Sequence, residues 1–389
     1  MFSDRTNWKL TRNRLTEALD EVRSSGARLF DLTLSNPTRA GLRYDEGAIL
    51  QSLASRHAMD YDPQPKGLPD ARAAVAAYYQ TEHGISLDTE RLILTTSTSE
   101  GYSFVFRLLC NPGDELLVPK PSYPLFEFLA DLQDVKLVPY PLIYDHGWQI
   151  DFPSLEKVVT KRSRGVVVVH PNNPTGSYVH AQEQKWLNGF CREHELAVIA
   201  DEVFLDYAHD GLAHRTFAAN QDVLTFTLSG ISKISALPQM KVAWIVTSGP
   251  EAEVETAEAR LEVTADTYLS MNAPIQWAVP VLLEQRKDIQ RQLMERARRN
   301  LHELDRELTE QKACERLHVE GGWNVVLRVP VTRSDEQLAI ELVREKRVLV
   351  HPGHFYDFAT DGYLVVSLIP AEKTFGEGIA GVLTKFSMG

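Results

Sequence analysis

RGVVVVHPNNPTG, residues Arg164 to Gly176, sets four successive valines before a turn made of two prolines, two asparagines, a threonine and a glycine. A strand with one wet face alternates apolar and polar residues. An unbroken apolar run belongs to a strand buried on both faces, as in a parallel sheet covered by helices. Outward from this strand, short β-rich runs alternate with amphipathic segments from Arg91 to Gly249: RLILTTS, ELLVP, KLVPYPL, LAVIADEVF, VLTFTLS and KVAWIVTSG. Between two of them, EQKWLNGFCREHE spaces Trp186 from Phe190 and Leu187 from Cys191 by four residues, one apolar helix face. The pattern predicts an α/β fold whose large domain holds a mostly parallel seven-stranded sheet covered by helices.

After Ala252 the texture turns to long charged segments of helical period, the second of which, LLEQRKDIQRQLMERARRNLHELDREL, is placed to join a large domain to a smaller one. Beyond it come strand LHVEGGWNVVLRVP, a helix opening on the capping-box pattern Ser334-Asp335-Glu336-Gln337, strands VLVHP and GYLVVSL, and a last helix. That is a compact α+β C-terminal domain. The expected division is residues 1–45 as a segment belonging to the small domain and covering the active site, 46–282 as the large domain and 283–389 as the small one.

The chain has 389 residues, 43% apolar and 24% charged, with a formal net charge of −12. No basic surplus is available to neutralise a nucleic acid or an anionic membrane, so neither is an expected partner. Three cysteines, Cys110, Cys191 and Cys314, are too few and too scattered for a disulfide framework. MFSDRTNWKL has no apolar core and no run approaches a membrane span, so the expected compartment is the cytoplasm. HPGHF carries His351 and His354 three apart, but no third ligand lies nearby, and no metal is expected.

The chemistry concentrates in three places. Asn173 and its neighbours follow the buried strand, Asp201 ends the next, and TLSGISKISALPQMK sets Lys233 among small and apolar residues. Loops at the carboxyl ends of strands carry ligand sites in open α/β sheets. A lysine in apolar surroundings loses solvation of its charged form, which lowers its pKa and frees the amine to attack a carbonyl.

Asn-Pro-Thr-Gly after a strand, Asp after the next, and Ser-x-x-x-Lys about thirty residues on resemble, in that order, the pyridoxal-phosphate enzymes of fold type I, in particular the class I/II aminotransferases. YDPQPKGLPDARAAV, LTTSTSEGY and NPGDELLVPKPSYPLF resemble further stretches of that family, so the likeness covers nearly the whole chain. It implies pyridoxal 5'-phosphate held as a Schiff base by Lys233, with Asp201 on the pyridine nitrogen, Asn173 on the phenolic oxygen and Tyr123 on the ring face. It implies a phosphate site at Ser97, Thr98 and Ser99, where a helix begins, with Ser229 and Lys241 adding donors. It also implies a homodimer in which Tyr61 reaches the neighbouring subunit's phosphate, and amino acid and 2-oxo acid substrates.

Four positions depart from the family. Lys241 stands for an arginine, Phe204 for a tyrosine on the phenolic oxygen, and Ser35 or Asn36 for a glycine. Val365 stands where many members place the arginine that grips the substrate carboxylate. Arg39 is therefore the first expected replacement, ahead of Arg43 and Lys120, with Asn36 and His354 as further substrate contacts and Trp323 as a border of the pocket. The expected reaction is transamination. A carbon–sulfur β-elimination or a decarboxylation on the same residues is the alternative, and a non-enzymatic cofactor-binding protein a remote one.

Overall fold

The computed structural model describes residues 1–8, 11–211 and 214–387. In chain order its strands are β1 (Phe30–Asp31), β2 (Leu92–Thr95), β3 (Glu115–Lys120), β4 (Lys136–Tyr144), β5 (Trp148–Ile150), β6 (Ser163–Val169) and β7 (Ala197–Asp201). There follow β8 (Thr225–Gly230), β9 (Ala243–Ser248), β10 (Glu315–Arg316), β11 (Asn324–Arg328), β12 (Val348–Leu349), β13 (His351–Pro352) and β14 (Tyr363–Ser367).

Eight strands form one sheet in the order β2-β9-β8-β7-β6-β3-β4-β5. From β8 through β4 every neighbour is parallel, whereas β9 is antiparallel to both its neighbours and β5 turns back on β4. The seven expected strands are all present. The eighth, β5, is three residues long and sits at the edge, too short for periodicity to reveal it.

The valine run behaves as its composition requires. Val167 and Val169 of β6 pack with Phe226 and Ile245 on one face, and Val166 and Val168 with Leu187, Phe190 and Cys191 on the other. Burying each valine stabilises the fold by roughly 1.5 kcal/mol or more over leaving it in water. The covering helix is Ala181–Glu193, whose Trp186 stacks on Phe190 at 5.2 Å, the four-residue spacing seen in the sequence.

The smaller unit is a four-stranded antiparallel sheet, β10-β11-β14-β13, beside the parallel pair β1 and β12. Leu15, Ala18 and Leu32 from the N-terminal segment share its core with Ala297, Leu304, Phe375 and Ile379. The helix Arg286–Thr309 bridges the two units: Ile289, Leu293 and Met294 pack on Phe204 and Trp323, while Ala297 and Leu304 enter the small core. Ser334 caps its helix by accepting from the Gln337 N–H at 3.3 Å. The reciprocal half of the expected capping box is replaced, because the Gln337 side chain donates to Glu341 instead. Among the described residues no helix is long and apolar enough to cross a membrane.

Candidate active site

Because β6, β7 and β8 are parallel, their carboxyl ends meet at one edge of the sheet, where open α/β folds place ligands. The turn after β6 carries Asn173, β7 ends on Asp201, and a single helical turn after β8, Ile231–Ile234, carries Lys233. All three line a cleft of about 470 Å3, as do Ser97, Thr98 and Ser99. Two glycines make this possible. A Cβ at Gly230 would lie 2.7 Å from the Val242 carbonyl oxygen, so only glycine lets β8 reach Lys233 with β9 alongside. Gly176, at φ +71°, has the backbone oxygen of Gly321 2.5 Å from where a Cβ would stand, so the turn presses directly on the small domain.

Lys233 is partly buried, its ammonium 4.9 Å above the Trp323 ring and 5.4 Å from that of Phe204. Desolvation by these walls pushes its pKa down to about 8, against the opposing pull of the Asp201 charge. The Tyr207 hydroxyl donates to the Lys233 carbonyl at 2.6 Å and holds the turn in place. Asp201 is likewise partly buried, and desolvation pushes its pKa up to about 6 despite its accepting from the Val203 N–H at 3.1 Å and the Tyr102 hydroxyl at 3.0 Å. A buried carboxylate with two neutral donors is short of a cation. Across the cleft, Ser97 caps the helix Thr98–Leu109 by accepting from the Glu100 N–H at 3.2 Å, which leaves the first-turn N–H groups and the positive end of the helix dipole facing the cleft, an anion site.

The profile of the class I and II aminotransferases matches residues 47–373. The chain belongs to that family. It is 27% identical over 377 residues to the glutamate-pyruvate aminotransferase AlaA of Haemophilus influenzae, spanning 93% of this chain and 91% of that one. It is also 31% identical over 249 residues to the S-alkyl-thiohydroximate lyase SUR1 of Arabidopsis thaliana, spanning 61% and 52% of the two chains. The alanine aminotransferase of Pyrococcus furiosus superposes over the full length of both chains with a TM-score of 0.91 at 21% identity, which shows a shared fold.

Class I and II aminotransferases work with pyridoxal 5'-phosphate, and this member is a pyridoxal-phosphate-dependent aminotransferase. The donor set fits that cofactor. An amine of lowered pKa, a buried carboxylate lacking a cation and a helix N-terminus lined by three hydroxyl residues match its aldehyde, its pyridinium nitrogen and its phosphate.

The structure brings most of the expected residues to the cleft but not all. Lys233, Asp201, Asn173, Tyr123, Lys241 and residues 97–99 line it, Lys241 in a left-handed backbone conformation and Tyr123 45% exposed. Ser229 is buried within β8, and its hydroxyl donates to the Glu202 carbonyl oxygen at 3.4 Å; Ser232, one turn later, lines the cleft in its place. The Ser-x-x-x-Lys spacing thus picked the serine whose side chain is spent on the sheet. Asn36 faces outward and caps Pro37–Arg39, its Oδ1 accepting from the Thr38 N–H and hydroxyl, while Arg39 is exposed and outside the cleft wall, where Ser35 and Thr33 stand instead. Arg43 is exposed, and Lys120 pairs with Asp357 at 3.0 Å. His354 is exposed with its ring edge on Phe355, whereas His351, the other histidine of that stretch, lines the cleft. Tyr61, 86% exposed, borders a separate pocket with Asp62, Leu269 and Trp277. Val365 is 1% exposed among Trp148, Leu317, Val326 and Tyr356, where it can hold no carboxylate.

Four cleft residues were given no role at the site by the sequence. Tyr102, a helix residue in the run TSEGYSF, reads as core until its hydroxyl is seen on Asp201. Asn324 donates to the Asn173 Oδ1 at 2.8 Å. His351 and Tyr356 pair at 3.0 Å between Nδ1 and the phenol oxygen; burial lowers the histidine pKa and raises that of the tyrosine, so both are neutral at pH 7. Among the described residues, no group of three or more His, Cys, Asp or Glu side chains is arranged to hold a metal.

Proposed function

We propose that this aminotransferase passes the amino group of a small amino acid to a 2-oxo acid, with alanine, glutamate and pyruvate as the first substrates to try, and that Lys233 is the base that moves the proton. The observation that carries the reading is the convergence of Lys233, Asp201 and Asn173 at adjacent strand ends opposite a helix N-terminus. The substrates rest on the name of the relative from Haemophilus influenzae, matched over nearly its whole length.

When bound, pyridoxal phosphate supplies an electron sink that permits heterolysis of the substrate α-carbon–hydrogen bond. The chain's own side chains do the rest. The Lys233 Nζ, with its pKa down at about 8, would take the α-proton as a neutral amine and would carry it for return on the same face. Asp201, oriented by Tyr102 and the Val203 N–H, would keep a proton on the ring nitrogen as one member of an ion pair, which would also draw its own pKa back down. The Asn173 amide would donate to the phenolic oxygen, and Tyr123 would lie against the ring. Ser97, Thr98, Ser99 and the free N–H groups at the start of the helix would hold the phosphate, with Lys241 as its counter-charge.

The working unit in this reading is a homodimer, with Tyr61 passed to the neighbouring copy. Its support is the exposure of Met59, Tyr61, Tyr268 and Leu269, large apolar side chains that a free monomer leaves in water. A carbon–sulfur β-elimination is the second reading, favoured by the partial match to a lyase. One experiment separates the two. Purified holoenzyme mixed with alanine or glutamate loses the absorbance of the lysine-linked cofactor, and pyruvate or 2-oxoglutarate restores it. Loss without restoration, together with ammonia release from a cysteine conjugate and no added oxo acid, would select the lyase.

A further inference from the structure

Asn324 opens β11 in the small domain and faces the turn after β6 in the large one. Its Nδ2 donates to the Asn173 Oδ1 at 2.8 Å, and both side chains line the cleft. The direction of this bond has consequences. A carboxamide offers one acceptor oxygen and one donor nitrogen, so with Oδ1 taken, Asn173 presents its N–H groups on its other side. No other asparagine or glutamine lines the cleft among the described residues.

Asn324 is itself held from several directions. It pairs with Ser367 across β11 and β14, and the Leu368 N–H donates to the neighbouring Trp323 carbonyl at 2.7 Å. Ser367 in turn donates from N–H to the Leu32 carbonyl at 2.7 Å and from Oγ to that of Leu34 at 2.6 Å, tying the strand to the segment that brings Thr33 and Ser35 to the cleft. On the large-domain side the two aromatic residues nearest the Lys233 turn offer no substitute donor. Phe204 has no hydroxyl, and that of Tyr207 is committed to the Lys233 carbonyl.

We propose that Asn324 is a positioning residue: it fixes the Asn173 amide with its N–H groups toward the cofactor's phenolic oxygen, so that a small-domain side chain tunes how tightly the Lys233–cofactor linkage holds its proton. The proposal rests on the aminotransferase reading. A donor on the phenolate spreads its negative charge and weakens its hold on the neighbouring linkage proton; a disordered or reversed Asn173 removes that donor, and the linkage keeps its proton to higher pH. The titratable groups around the cleft are Asp201, Tyr102, Tyr123 and Lys241 on the large domain and His351 and Tyr356 on the small one. None of these is changed by alanine at 324, so the shift in that variant reports the amide pair.

The test is the pH titration of the cofactor absorbance in holoenzyme carrying Asn324→Ala, Asn173→Ala or both, with a thermal melt of each to confirm folding. Asn324→Ala is expected to move the midpoint up by about one pH unit, Asn173→Ala at least as far, and the double variant no further than Asn173→Ala alone, because residues acting through one another do not add. Asn324→Asp, which can only accept at neutral pH, turns the Asn173 N–H groups away and moves the midpoint further than alanine does. An unmoved midpoint in Asn324→Ala, or shifts that sum in the double variant, would overturn the proposal. A titrating band that survives Lys233→Ala would instead overturn the aminotransferase reading.

Discussion

The two walls of the cleft differ in charge and in construction. The large-domain wall carries Lys233, Asp201 and the helix end at Ser97, each delivered by a strand end or the turn after one, and Lys241, delivered by the segment that leads into β9. The small-domain wall, made by Thr33, Ser35, Trp323, Asn324, His351 and Tyr356, is neutral and is gathered from three separated pieces of chain. The first wall suits chemistry that needs charge at fixed points, and its residues lie in short runs beside individual strands of the sheet. The second is suited to a neutral partner surface, and it is assembled only once the chain has folded.

The comparison breaks most visibly at the charged wall. Lys233→Ala is expected to cost on the order of 10^4-fold in the single-turnover rate with an amino acid, since it removes both nucleophile and base. Asp201→Asn is expected to cost about 10^3-fold, the scale of losing a preorganised electrostatic partner, with substrate affinity changed much less. The same variant tests burial. With its folded pKa pushed up to about 6 against 3.8, Asp201 binds a proton more tightly in the folded than in the unfolded chain, so it destabilises the cofactor-free protein above pH 6 and ceases to do so as pH falls toward 4. Cofactor-free Asp201→Asn should therefore melt a few degrees above wild type at pH 7.5, and the gap should close by pH 4.5.

Smaller effects belong to the neutral wall. Tyr356→Phe removes one uncharged hydroxyl and should raise the KM for the amino acid by roughly three- to tenfold with kcat nearly unchanged, the scale of one neutral hydrogen bond. His351→Ala should act in the same direction. His354→Ala, at an exposed position three residues on, should leave steady-state kinetics within about twofold of wild type, and a larger change there would show that the wall is drawn in the wrong place.

This contrast also explains what the sequence could reveal. The valine run and the alternation of strands with amphipathic segments were legible because each obeys a local rule, whereas Asn173, Asp201 and Lys233, each weak alone, were legible because their order and spacing resemble the family's. Ser229 and Ser232 flank the same turn, and nothing local says that the first is spent on the Glu202 carbonyl. His351 and His354 are equivalent as letters; only the pairing of His351 with Val365 across β13 and β14 turns one of them to the cleft. The Asn324–Asn173 bond joins residues 151 positions apart and has no local trace at all.

The central claim is that Lys233 is the lysine that holds the cofactor and moves the proton. The most direct measurement is the absorbance spectrum of holoenzyme and of Lys233→Ala protein loaded with pyridoxal phosphate, before and after alanine and again after pyruvate. Wild type should lose its lysine-linked band with alanine and regain it with pyruvate, while Lys233→Ala should show neither the band nor the cycle. A Lys233→Ala protein that kept the band and cycled at the wild-type rate would contradict the account.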